Sequence, residues 1–146
     1  MRRVLVLMMS VLVMLALAVP AGADSPPSGV EIVVPGFEGP FTASGPAVDD
    51  GILCANGTAV NGDVRGAGFQ SNRLFNLTVF KEFTCDDASG SFVLKLQVQV
   101  NSVRGTSFNW VVVSGTGEYV DLHGRGRGFV APVDTDIYQG GVHIDP

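Results

Sequence analysis

Groups that carry out chemistry are scarce in this chain. Among 146 residues there are two cysteines, two histidines and one tryptophan. Charged residues make up only 16%, and acids outnumber bases fourteen to nine. There is no C-x-x-C pair for redox work, and two thiols with two scattered histidines do not reach zinc-ligand spacing. Ser114 stands in Val-Ser-Gly-Thr-Gly, which lacks the G-x-S-x-G elbow and the helix that follows it. His123 and His143 lie twenty residues apart, with no acid at a spacing that suggests a triad. Nothing after residue 23 has the period of a helix. No catalytic residue, cofactor site or metal site is therefore read from the sequence. The acidic balance also argues against nucleic acid and anionic membrane surfaces as partners.

What is present begins with an export signal. Arg2 and Arg3 precede an apolar run over residues 4–19, and Ala21-Gly22-Ala23 follows as a small-x-small cleavage site. A nearly unbroken run of sixteen residues is short for a bilayer-spanning helix. Cleavage after Ala23, secretion of a bacterial type and no membrane attachment afterwards are the expectations. Cleavage removes two arginines and no acid, so the formal charge moves from −5 to −7 and 123 of the 146 residues remain. The exported compartment is oxidising, so Cys54 and Cys85 read as a disulfide.

Residues 24–29, DSPPSG, read as a disordered start, and residues 30–146 as one domain. Residues 30–34 form a short strand. Residues 35–51 read as a long loop with an edge strand near residues 41–44, and residues 52–55 as a second strand carrying Cys54. Asn56-Gly57 and Asn61-Gly62 are both hairpin dipeptides, too close to be two full turns, so one is a bulge or bend. From Phe75 the alternation is clear. Phe92, Leu94, Leu96, Val98 and Val100 then alternate with Lys95, Gln97, Gln99 and Asn101, the signature of a half-buried strand.

Residues 108–130 supply a hairpin, with its turn expected at Gly115-Thr116-Gly117. Its incoming strand, with Phe108, Trp110 and Val112 against Asn109, Val111 and Val113, is apolar on both faces, so a cover for the second face is expected. Its outgoing strand carries Gly124, Gly126 and Gly128 on one face and His123, Arg125, Arg127 and Phe129 on the other. Glycines at period two admit curvature or a bulky neighbour against the backbone. They are expected to point inward and the arginines outward, solvated and loosely paired with acids. Residues 131–136 read as a loop, making Asp134 and Asp136 loop acids, and residues 137–144 as a closing strand. Long strands in a meander leave open edges unless the sheet closes. An all-β antiparallel barrel of about seven to eight strands is expected, with a β-sandwich as the alternative.

The stretch Ser114-Gly115-Thr116-Gly117-Glu118-Tyr119, followed by Leu122-His123-Gly124, resembles the glycine-rich hairpin of allene-oxide-cyclase-like and dirigent-like barrels. It is also similar to small secreted bacterial barrels of unknown role in that group. The resemblance implies an eight-stranded antiparallel barrel with a lumen able to hold an apolar ligand. No flanking motif aligns, so no functional residue is carried over.

Two functions are compatible with these features. One is non-enzymatic binding of a small apolar ligand or of a partner surface. The other is an isomerase or cyclase acting in the lumen. The expected lumen lining is Leu77, Val79, Phe83, Leu94, Leu96 and Val98. Lys81 is the one ionisable residue on that face, expected to snorkel to water at a strand end.

Overall fold

The structure, a computed structural model, describes residues 26–71 and 74–145, excluding the side chains of residues 67–71. The expected signal, residues 1–23, lies outside the described residues. Eight strands follow one another: β1 (Ser28–Pro35), β2 (Gly39–Ser44), β3 (Asn56–Ser71), β4 (Leu74–Cys85), β5 (Ser91–Asn101), β6 (Gly105–Gly115), β7 (Leu122–Ala131) and β8 (Thr135–Ile144). Each pairs antiparallel with the next, and β8 pairs with β1. The chain is thus a closed up-and-down barrel, the architecture expected, and not a sandwich. Closure gives both edges of the meander a partner.

Period-two alternation decides what each strand puts inside. On β5, Phe92, Leu94 and Leu96 are buried while Gln97 and Gln99 face water. Phe83 on β4 lies opposite Phe92, their rings stacked with centroids 5.1 Å apart. Phe41 and Tyr138 meet Phe83 edge-on at 5.2 and 5.6 Å, and Phe108 reaches Tyr138 at 4.8 Å. At this level the interior is filled by protein rings, an arrangement aromatic side chains favour. Of the expected lining, Phe83, Leu94 and Leu96 are core residues, and Val79 and Val98 pack against that core half-buried. Leu77, cross-paired with Val98, is half-buried toward the other end of the strand.

The period-two glycines now have a cause. They point inward: a Cβ on Gly128 would collide with the Phe108 ring, and one on Gly126 with the Trp110 indole. Two bulky rings of β6 lie where two side chains of β7 would have been. His123, Arg125 and Arg127 are accordingly exposed on the outer wall.

Several local expectations are corrected. β1 begins at Ser28, because Ser28 and Gly29 pair with Val142 and Gly141, so these two residues of the expected disordered start belong to the barrel, while residues 24 and 25 lie outside the described residues. Residues 52–55 form no strand. They turn beneath α1 (Pro46–Asp49), a one-turn helix with proline at its start, and the Ala47 carbonyl accepts from the amides of both Ile52 and Leu53. One helical turn is too short to show a period in the sequence. Asn61-Gly62 is the bulge, for the β3–β4 register shifts between Asn61 and Val64, while Asn56 and Gly57 open β3. After β6 the chain does not turn within Gly-Thr-Gly but passes through a 3-10 turn, Gly117–Tyr119. The outer face of β6 has no cover from the described residues: Val111 and Val113 are 41% and 46% exposed.

Candidate functional site

Lys81 does not snorkel. Its side chain is 2% exposed, and Nζ sits 2.6 Å from Asp136 Oδ2. Asp136 is no loop acid but a buried member of β8, because its strand starts at Thr135. The same carboxylate oxygen accepts from the Tyr138 hydroxyl at 3.2 Å. Burial, the adjacent Asp136 charge and that hydrogen bond together hold the Tyr138 phenol well above its ordinary range. β4 thus contributes a cation and β8 an anion and a hydroxyl, joined across the barrel interior. A buried charge is tolerable when paired and hydrogen-bonded in this way. The site has acid–base groups but is walled by the aromatic core.

The end of the barrel near α1 is a structural clamp. Cys54 and Cys85 are disulfide-bonded, with Cα atoms 6.0 Å apart. Tyr119 is buried beside them, its hydroxyl accepting from the Cys54 amide at 3.1 Å and lying 2.9 Å from Ser89 Oγ. The Asp86-Asp87 turn belongs to this clamp: Asp87 accepts from the Ser89 hydroxyl and amide, which hold its carboxyl below the usual range. His123 and His143 face each other at 5.6 Å on the adjoining rim, each with Nε2 near a different oxygen of Asp145, at 3.2 and 3.3 Å. Among the described residues, no group of three or more metal-ligating side chains is placed to hold an ion.

The outer wall over β4–β7 has a different character. Antiparallel register sets outward side chains in rows that cross the strands. One row contains Asn76, Gln99 and Ser107. The next contains Thr78, Gln97, Asn109 and Arg127, and a third contains Lys95, Val111 and Arg125. Between these rows run two grooves, each of about 610 Å³, which share Gln97, Asn109 and Arg127. Their floors are the backbones of inward residues such as Leu77, Val98 and Gly128 in one and Trp110 and Gly126 in the other.

The charge on this wall is unbalanced. Three of the nine lysines and arginines line the grooves, and no carboxylate does. Among the described residues, Lys95, Arg125 and Arg127 have no ion-pair partner. The expected loose pairing with acids is absent among the described residues. Beyond Arg127 the row continues to Gln139, whose amide is already bonded to Glu31 at 2.8 Å.

The fold and site define a closed eight-stranded antiparallel barrel with a ring-filled interior and a cationic, amide-lined outer wall. No family model matches the chain, and neither a curated protein nor a solved structure matches it.

The individual outward residues of this wall were legible as polar positions of alternating strands. Their assembly was not, since it depends on the register of four strands. Asp136 was missed because it stands just past Asp134 in a turn-like stretch, although the alternation Asp136, Tyr138 against Ile137, Gln139 already runs into the closing strand.

Proposed function

We propose that this is an exported, non-enzymatic binding barrel that engages its partner through the outer wall of β4–β7. Of the two kinds of binding expected from the sequence, an apolar ligand inside or a partner surface outside, the second has the stronger support. The observation that carries it is the trio of unpaired cations over two grooves on an otherwise acidic protein. Like charges left adjacent and unpaired work against the compact state, so a partner supplying anionic groups accounts for them. The exposed Val111 and Val113 beside these cations support the same face. Export is supported by the residue 1–23 pattern and by the disulfide. The likeness of residues 114–124 to allene-oxide-cyclase-like and dirigent-like barrels is part of this proposal and rests on that stretch.

A second reading, acid–base chemistry in the lumen, draws on Lys81, Asp136 and Tyr138. The two readings separate by amide-resolved chemical-shift mapping of the exported protein. An anionic probe, either polygalacturonate or polyglutamate, is expected to shift residues 95–99, 107–111 and 125–127. Arg125→Ala/Arg127→Ala is expected to abolish the shifts. If only an uncharged apolar dye such as Nile red binds, perturbing Phe83, Leu94 and Tyr138 and indifferent to the arginine pair, the outer-wall reading is overturned.

A further inference from the structure

The outer wall carries enough chemistry to name a ligand class. Resting on the outer-wall reading above, we infer that the grooves take an acidic polysaccharide, a chain of sugar rings bearing carboxylates at intervals.

Three features converge on that class. The first is the ratio of neutral to charged groups. Asn76, Thr78, Gln97, Gln99, Ser107 and Asn109 present amides and hydroxyls, against three cations. Amides and hydroxyls both donate and accept, as sugar hydroxyls do, so each can satisfy a polyhydroxylated partner. A nucleic acid, with a phosphate at every step, calls for a denser run of cations.

The second is the kind and placement of the cations. A guanidinium offers a planar fork that fits a carboxylate with two parallel hydrogen bonds. Arg125 and Arg127 stand on one face of β7, two residues and so about 6.8 Å apart, one on each side of the groove floored by Gly126. Neither arginine has an ion-pair partner among the described residues, and a carboxylate lying between them would reach both.

The third is shape. The grooves run across the strands, so their walls step from one side chain to the next by about 4.8 Å. A ligand that is itself a linear repeat can follow such a wall over four strands. Phe129, 43% exposed, lies opposite Ser107 and continues that row with a flat apolar surface. Sugar rings have apolar C–H faces that lie flat on such a surface. An acidic peptide would use the same cations, and polyglutamate tests for it.

The test compares polygalacturonate, polyglutamate and dextran by calorimetry and shift mapping on the exported protein. Polygalacturonate is expected to bind at the wall, more tightly than either of the others. Its affinity should weaken with added salt, as exposed charge contacts do. Arg127→Ala should lower it about 10-fold or more, the loss expected for a charged hydrogen bond, and Arg127→Lys should restore only part. Thermal melting of both variants serves as the folding control. Polyglutamate bound at the wall as tightly as polygalacturonate would overturn the glycan inference while leaving the outer-wall reading intact. Dextran bound equally well would overturn the requirement for acid groups. If no probe moves a wall residue, both readings fall together.

Discussion

Replacing Lys81 with methionine removes one half of a charge pair that has almost no access to water. The lysine side chain is 2% exposed and the Asp136 side chain 6%. Methionine keeps the length and the apolar stem, so the cavity term is small and the change is chiefly electrostatic. The Asp136 carboxylate is then left with the Tyr138 hydroxyl at 3.2 Å as its hydrogen-bond partner and no counter-charge. Breaking a buried pair from one side costs about 3–5 kcal/mol, which for a domain of this size is roughly 12–20 °C in Tm. Urea and thermal unfolding at pH 7 read this directly. The triple variant Lys81→Met/Asp136→Leu/Tyr138→Phe removes every polar group of the cluster, and its stability should return to within about 2 kcal/mol of the native value, since burying an ion pair gains little over an apolar set. A loss below about 1 kcal/mol for Lys81→Met, the range of an exposed pair, would refute the buried pair and return Lys81 to the snorkelling position.

Gly128→Ala sets a methyl group into the Phe108 ring and should cost about 1–3 kcal/mol or more by overpacking; urea unfolding equal to the native protein would mean that this face of β7 points outward. Reducing the Cys54–Cys85 bond opens a 31-residue separation. That is worth about 3–4 kcal/mol in the chain-entropy model, seen as a fall in Tm with reductant that Cys54→Ser/Cys85→Ser reproduces. Tyr138 gives an alkaline signature. Below about pH 10 it is protonated in both folded and unfolded chains, so it contributes no pH dependence there. Above that, the unfolded chain ionises and the folded one does not, so stability falls as pH rises. Absorbance at alkaline pH should show one tyrosine ionising only as structure is lost, a phase missing from Tyr138→Phe, and its ionisation with the barrel intact would contradict the buried cluster. Arg125→Ala/Arg127→Ala should change unfolding stability by no more than about 0.5 kcal/mol, because both side chains are exposed; unfolding of that variant would show that the faces of β7 are reversed.

Strand positions and faces were largely legible because they follow from period-two alternation, which a chain states residue by residue. β5 is the clearest case: Phe92, Leu94 and Leu96 went inside as their spacing requires. The glycine face of β7 was legible for the same reason, and the pairing of Cys54 with Cys85 was legible from their being the two cysteines of the chain. Where the expectations failed, the cause was local. α1 is a single turn, and residues 52–55 are held by the Ala47 carbonyl rather than by a ladder.

By itself, then, the sequence determined an all-β chain, the inward faces of β5 and β7, and a disulfide between its two cysteines, but not β3, whose two Asn-Gly pairs read as turns, nor the choice between a barrel and a sandwich. These are consequences of neighbours along the chain and of the exclusion of apolar groups from water, which act before any tertiary contact is known. Which distant residues meet is a different quantity, set by strand order, register and closure. Only the folded barrel brought Asp136 on β8 to Lys81 on β4, fifty-five positions away. Only the registers of β4 through β7 aligned Thr78, Gln97, Asn109 and Arg127 into one row. A one-residue slip in any of those pairings would have turned the row to the other face. The outer wall is therefore a property of the closed barrel, written in no single strand.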